Sequence, residues 1–233
     1  MDVAIVGGTG AEGFGFALRL LTAGHRVTIG SRSAERAAEA VERASAILRA
    51  ATDDDEILVD GALNEAAVED AAVVVVTVPF AGMIDTYRSI APNLRAGQIA
   101  LDATSPLMTA VGGRPWEAIR PWQGSAAELA AHEVPEGVSV VAGLHTIAAH
   151  SLADLEHAIE SDVLLCADDE TAKRRIGELI ASVEGMRWVD AGPLANARLI
   201  EPLTPLLITV NRRYGVRDAG FRIIGHDRWG APS

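Results

Sequence analysis

The chain has 233 residues, a formal net charge of −12 and 49% apolar residues, enough for one large α/β domain or for a larger and a smaller one. A protein this acidic repels nucleic acids and anionic membranes, so both are disfavoured as partners. The single cysteine, Cys166, cannot form an internal disulfide and lies in an apolar stretch, where we expect it to be buried. Neither a secretory leader nor an apolar run of membrane-spanning length is recognised, which predicts a cytoplasmic protein.

The chain begins with an apolar strand at residues 3–6, followed at once by a glycine-rich turn and an apolar helix. A G-x-G-x-x-G pattern in this position is typical of a dinucleotide-binding turn. Gly8 is expected to make the tight turn, Gly10 to let the backbone approach a pyrophosphate, and Gly13 to let the helix pack against the strand. The predicted turn consists of Gly8, Thr9, Gly10, Ala11, Glu12 and Gly13.

Apolar strands alternate with helical patterns along the first two thirds of the chain. Continuous apolar strands separated by helices indicate a parallel sheet that is covered on both faces. The prediction is a Rossmann-type, doubly wound α/β domain over residues 1–150, with its ligand at the carboxyl ends of the strands. The predicted strands are residues 3–6, 26–29, 57–59, 73–78, 98–102 and 138–142.

The end of the second predicted strand indicates which dinucleotide is bound. In NAD-specific domains an acidic residue stands there, whereas this chain has Ser31 and Arg32. Arg36 lies one helical turn further on, in a helix predicted over residues 33–50 with Ser33 as its N-cap. A hydroxyl and two guanidinium groups suit a 2′-phosphate, which favours NADP over NAD.

Two segments between the predicted elements hold candidate site features. The irregular stretch 103–124 is long enough to be functional or mobile, and Trp116 and Trp122 within it either wall a pocket or anchor the loop. The acidic run 53–56 has no histidine beside it, so we interpret it as a solvated loop and predict no metal site.

Residues 151–233 are predicted to form a smaller α/β unit that closes the cleft. It contains strands at 162–167 and 186–189, a helix at 168–184 with Lys173 on its outer face, and an apolar segment at 194–214. Pro202 and Pro205 interrupt that segment, which predicts a proline-broken helix facing the crevice.

An arginine-rich region extends from residue 198 to residue 228. It has six arginines against Glu201, Asp218 and Asp227, a balance of +3 in an otherwise acidic protein. Its cations either form an ordinary solvated surface or bind an anionic ligand.

Few residues could transfer a proton beside a nicotinamide. Lys173 is the only lysine, and His145 is the one histidine at the end of a predicted central strand. His145 could act as an acid or base, contact a cofactor, or only satisfy local backbone groups. The residues alone therefore allow hydride exchange between two bound cofactors, NADPH-dependent reduction of a small imine or carbonyl compound, or a non-catalytic NADP-binding sensor.

Several segments, in the same order, resemble the NADPH-dependent coenzyme F420 reductases over residues 1–211. The most specific are Asp-Ala-Gly-Pro-Leu at 190–194 and Leu-Thr-Pro-Leu at 203–206. The other matching segments are 7–10, 30–32, 77–80, 84–86, 124–128 and 144–147. Pro202 is a difference, because many members have serine there.

The resemblance implies reversible hydride transfer between NADP(H) and the deazaflavin of coenzyme F420. It implies that Thr9, Ser31, Arg32 and Arg36 hold the phosphates and adenosine of NADP, and that Val78, Pro79 and Thr104 belong to the cofactor site. It further implies that the deazaflavin stacks on the nicotinamide beside His145, Arg198 and Thr204, and that the protein is a homodimer.

Overall fold

The computed structural model describes residues 1–51 and 57–225. The acidic run at 53–56 and the last two charged residues of the arginine-rich region, Asp227 and Arg228, lie outside the described residues. Within the described ranges, no helix is both long enough and apolar enough to cross a membrane.

A six-stranded parallel sheet forms the centre of the larger part of the chain, in the strand order β3-β2-β1-β4-β5-β6. This confirms the predicted doubly wound α/β fold. The strand order reverses between β1 and β4, which opens a crevice at their carboxyl ends. The strands are β1 (Asp2–Val6), β2 (Arg26–Ser31), β3 (Val59–Leu63), β4 (Val73–Val76), β5 (Ile99–Asp102) and β6 (Ser139–Ala142).

Helices cover both faces of this sheet. Successive side chains of a strand point to opposite faces, so Val73 and Val75 pack into one apolar cluster and Val74 and Val76 into the other. The helices are α1 (Ala11–Thr22), α2 (Ala34–Ala51), α3 (Asn64–Ala67), α4 (Phe80–Ile90), α5 (Ala126–Glu133) and α6 (Ala149–Ala153).

A two-stranded parallel sheet lies in the C-terminal part, beside the large one. Backbone hydrogen bonds between Cys166 and Ala142, of 2.9 and 3.1 Å, connect the two sheets. Burial raises the pKa of the Cys166 thiol to about 12, so the side chain is a protonated core group as expected. The elements are β7 (Ser161–Leu165), α7 (Glu170–Ala181), β8 (Met186–Asp190), α8 (Ala197–Ile200) and α9 (Leu203–Tyr214).

Two predictions about single elements are wrong. The third strand runs from Val59 to Leu63 and not over 57–59, because an edge strand that pairs only with β2 does not need a continuous apolar sequence. Lys173 is not on an outer face: only 1% of it is exposed, and its ammonium group lies 2.8 Å from carboxylate oxygens of Glu170 and Asp190. This pairing makes burial of the lysine tolerable.

The proline break occurs at Pro202 and not at Pro205. Pro202 is the N-cap of α9, between α8 and α9, whereas Pro205 is the third residue of α9. Proline is tolerated in the first turn of a helix, because no N–H of that turn has an intrahelical partner.

Candidate active site

A cleft of about 800 Å³ opens at the carboxyl ends of β1, β2 and β4. Ligands of doubly wound sheets bind at such a position. Asn64, Glu65 and the cleft-facing side of α4 complete its walls. Seven residues of the predicted site line it: Thr9, Gly10, Ser31, Arg32, Arg36, Val78 and Pro79.

The glycine turn follows β1 directly, but the structural roles of its glycines differ from those predicted. The left-handed conformation belongs to Gly7, with φ of +76°, so Gly7 and not Gly8 makes the tight turn. A Cβ on Gly8 would lie 2.8 Å from the carbonyl oxygen of Ile5. A Cβ on Gly13 would clash with Thr77 and with Gly8, so the predicted close packing of helix and strand at Gly13 is present.

The first turn of α1 faces the cleft with its backbone N–H groups. Gly10 is its N-cap and provides no side-chain cap. Because these N–H groups have no intrahelical acceptor and carry the positive end of the helix dipole, they form a binding position for an anion. Ala11 is exposed at this point.

The end of β2 contributes a hydroxyl and two cations to the opposite end of the cleft. Ser31 is 4% exposed, and its Oγ accepts a hydrogen bond of 3.3 Å from the N–H of Ser33. Arg32 and Arg36 are exposed, and no ion pair among the described residues engages either. The guanidinium groups are therefore available to an anionic ligand.

Asn64 is a buried part of the cleft that the sequence analysis missed. Its Oδ1 accepts a hydrogen bond of 3.3 Å from the N–H of Gly7, so α3 supports the glycine turn. Gly30 leaves the room for it, because a Cβ there would lie 2.8 Å from that oxygen. The sequence offered no signal for Asn64, because the predicted third strand ended at residue 59, whereas Asn64 follows the observed β3 directly.

Two carboxyl groups, Asp102 at the end of β5 and Glu12 in the first turn of α1, interact electrostatically, although neither lines the cleft. Asp102 accepts hydrogen bonds from the Tyr87 hydroxyl at 2.8 Å and from the N–H and hydroxyl of Thr104 at 3.1 and 3.2 Å, and burial raises its pKa to about 6. Glu12 keeps partial exposure as a residue, but its carboxyl group is enclosed. That burial, followed by the charge of Asp102, raises the pKa of Glu12 to about 8, so Glu12 is protonated at neutral pH.

His145 follows β6 and is 5% exposed. Neither ring nitrogen has a hydrogen-bond partner among the described residues. Burial lowers its pKa to about 4, and a hydrogen-bond interaction with the Thr104 backbone, outside normal hydrogen-bond geometry, opposes this only in part, so the ring is neutral at pH 7. A buried polar group without a partner destabilises a protein by about 1–3 kcal/mol, which points to a ligand that completes its hydrogen bonds.

Thr204 holds the backbone of His145. Its hydroxyl donates a hydrogen bond of 2.8 Å to the His145 carbonyl oxygen and must therefore accept the bond of 2.7 Å that joins it to Ser105. Leu144, just before His145, has a φ of +71°, which is strained for a branched side chain. The loops after β5 and β6 and the start of α9 therefore meet at His145.

Arg198, on α8, is engaged elsewhere. Its guanidinium pairs with Glu128 and donates to the carbonyl of Gln123 at 3.4 Å, so its polar contacts hold the loop before α5 and do not reach His145 or Thr204. Glu201, which the sequence analysis missed, is buried and accepts bonds of 2.9 and 3.0 Å from the N–H groups of Ala126 and Ala127. Burial raises the pKa of Glu201 to about 8.

The two tryptophans of the long loop have different environments. Trp116 is half-buried, with Arg212 of α9 at 4.1 Å from its ring centroid and Arg114 at 5.5 Å, so it anchors the loop to α9. Trp122 is 92% exposed and neither walls a pocket nor anchors the loop. Among the residues that the structure describes, no group of three or more histidine, cysteine or acidic side chains is placed to hold a metal ion.

Comparison with known proteins gives a consistent result. A family model described as coenzyme F420-dependent NADP oxidoreductase matches residues 2–106. An F420-dependent NADP reductase from Methanothermobacter thermautotrophicus is 42% identical over 96% of this chain and 94% of its own length. Another, from Methanothermobacter marburgensis, is 39% identical over 96% of this chain and 98% of its own.

A solved structure shows the same architecture. It comes from Arthrobacter sp. FB24 and is provisionally described as an F420-dependent NADP reductase. It is 26% identical, covers 97% of this chain and 100% of its own, and superposes with a TM-score of 0.80.

Proposed function

Because the chain belongs to the coenzyme F420-dependent NADP oxidoreductase family, we propose residue by residue how it carries out the family's reaction. Its activity is hydride transfer between NADP(H) and coenzyme F420, and both are its substrates. When bound, these two groups supply the chemistry, because the nicotinamide and the deazaflavin exchange a hydride directly. The protein's part is to bind, orient and enclose them.

The glycine turn and the end of β2 hold NADP in this proposal. The diphosphate contacts the N–H groups at the start of α1 along Gly8 to Gly13, where side chains at Gly8 and Gly13 would fill the turn. Ser31, Arg32 and Arg36 bind the 2′-phosphate. Thr9 contributes its hydroxyl at the same end. Two observations support this assignment. Thr9, Ser31, Arg32 and Arg36 line the same cleft, and neither arginine forms an ion pair among the described residues.

Val78 and Pro79, which line the cleft, would hold the nicotinamide end together with Glu12 and Thr104. At neutral pH Glu12 is protonated and His145 is uncharged, whereas Asp102, with a pKa of about 6, is mostly ionised. An ionised carboxylate near the nicotinamide would stabilise the positive charge that the ring gains when NADPH gives up its hydride.

The deazaflavin would bind on the side of His145, with Thr204 fixing the histidine backbone. Arg198 positions the loop before α5 through the Gln123 carbonyl and pairs with Glu128 of α5. The single observation that carries this assignment is that both buried ring nitrogens of His145 lack partners among the described residues. A neutral imidazole can donate one hydrogen bond and accept another from the polar edge of the deazaflavin. Its lowered pKa makes it a poor proton donor at neutral pH, which disfavours reduction of an imine or carbonyl compound through this residue.

The direct test is to mix the purified protein with NADPH and oxidised coenzyme F420 and to follow the deazaflavin absorbance. We expect the absorbance to fall with NADPH and much more slowly with NADH. The reverse reaction, with reduced F420 and NADP, should restore it. Failure of the absorbance to change at any pH from 5 to 9 would refute the proposal.

We also propose that residues 1–150 form the NADP-binding domain and that residues 151–233 close the deazaflavin side.

We further propose that the protein is a cytoplasmic homodimer. Leu199 on α8 is 66% exposed and Leu206 on α9 is 55% exposed, which supports an apolar contact between two copies. Light scattering should give the mass of a dimer for the parent protein and of a monomer for Leu206→Asp.

A further inference from the structure

An arginine pair around Trp116 stands out on a strongly acidic protein. The guanidinium carbons of Arg212 and Arg114 lie 4.1 and 5.5 Å from the centroid of the same indole ring. Both arginines are exposed, and neither forms a salt bridge within residues 1–51 and 57–225. Two like charges held by one ring repel each other, and an anion bound to both would relieve that repulsion.

The position of the pair connects it to the deazaflavin side of the cleft. Arg212 lies eight residues beyond Thr204 on α9, about 12 Å along the helix axis. Thr204 is hydrogen-bonded to the His145 carbonyl and to Ser105, which begins the loop that carries Trp116. The same loop contacts α4 through its short helical turn at Met108–Val111, and α4 lines the cleft. Arg212 and Arg114 therefore lie on the two segments, α9 and the long loop, that Thr204 and Ser105 join beside His145.

We propose that Arg114 and Arg212, spaced by Trp116, bind the acidic chain that coenzyme F420 carries beyond its ring, which contains a phosphodiester and glutamate carboxylates. This inference rests on the proposed function, since it extends the same deazaflavin site. Guanidinium groups suit both phosphate and carboxylate oxygens, because each offers a planar fork of donors. Contact with the indole restricts both guanidinium groups and limits the entropy that they lose on binding.

The test compares coenzyme F420 with its ring-and-ribityl fragment, which lacks the phosphodiester and the glutamates. With NADPH saturating, the Arg114→Ala/Arg212→Ala variant should raise the KM for F420 roughly tenfold at low salt, because two exposed charge contacts are lost. Its kcat and its KM for NADPH should stay unchanged, and so should its KM for the fragment. The matched control is Arg174→Ala/Arg175→Ala, which removes two exposed arginines from α7 and should leave every constant unchanged.

A second measurement needs no variant. In the parent protein the KM for F420 should rise steeply with salt, whereas the KM for the fragment should not, because salt screens exposed charges. An equal loss for F420 and the fragment, or equal salt dependence for both, overturns this proposal while leaving hydride transfer intact. Absence of hydride transfer to either acceptor would instead overturn the proposed function.

Discussion

Replacing Glu12 by glutamine should change the pH dependence of stability. In the unfolded chain this carboxyl group loses its proton near pH 4.5, but in the folded protein it keeps the proton to about pH 8. Between these values the folded state binds more protons, so the free energy of unfolding falls as the pH rises. The full difference corresponds to an upper limit of about 5 kcal/mol by pH 8. Glutamine is neutral throughout and abolishes this loss.

The assay is urea unfolding of both proteins at pH 5, 7 and 8.5. The stability advantage of Glu12→Gln should be below about 1 kcal/mol at pH 5 and should grow to a few kcal/mol by pH 8.5. The variant should keep a residual decline with pH, because burial also raises the pKa of Glu201 to about 8. Glu39→Gln, on the exposed face of α2, is the matched control and should follow the parent. Parallel curves for the parent protein and Glu12→Gln would show that the Glu12 carboxyl group is not enclosed.

Three further substitutions test the site and the fold. Arg32→Ala together with Arg36→Ala should lower the preference for NADPH over NADH on the order of 100-fold in kcat/KM, with the constants for NADH unchanged. His145→Leu should raise the free energy of unfolding by about 1 kcal/mol, because an unpaired buried group is removed, yet lower kcat/KM for F420; urea unfolding and steady-state rates measure the two effects. Lys173→Ala should cost about 3 kcal/mol in urea unfolding, because it leaves Asp190 without its buried partner, and Lys173→Arg should recover part of that loss.

The sequence predicted the features whose determinants lie within a few residues of one another. The glycine turn, the cap of α2 at Ser33, and the hydroxyl and cations at the end of β2 all follow from local pattern and local hydrogen bonding. The alternation of apolar strands and helices was sufficient to predict the doubly wound sheet. One error within this local range was the tight turn, which depends on the φ angle of Gly7 and not on the spacing of the motif.

Other features depend on residues that are far apart in the chain. Gly7 is 57 residues from the Asn64 that supports it, His145 is 59 residues from Thr204, and the helix α5 that Glu201 caps begins 75 residues earlier. No local pattern encodes these partners. The sequence left open whether Trp116 lines a pocket or anchors the loop. Only the tertiary structure shows that Arg212 packs against its ring.

The sequence by itself determined a nucleotide-binding fold and predicted a preference for NADP, because both predictions rest on short-range backbone geometry and on charges next to one turn. Only the tertiary structure decided which buried groups lack partners and which carboxyl groups keep their protons. Burial and charge pairing set those properties, and both depend on which distant segments the folded chain brings together. The lack of hydrogen-bond partners at the His145 ring among the described residues, on which the proposed deazaflavin site rests, is therefore a property of the fold.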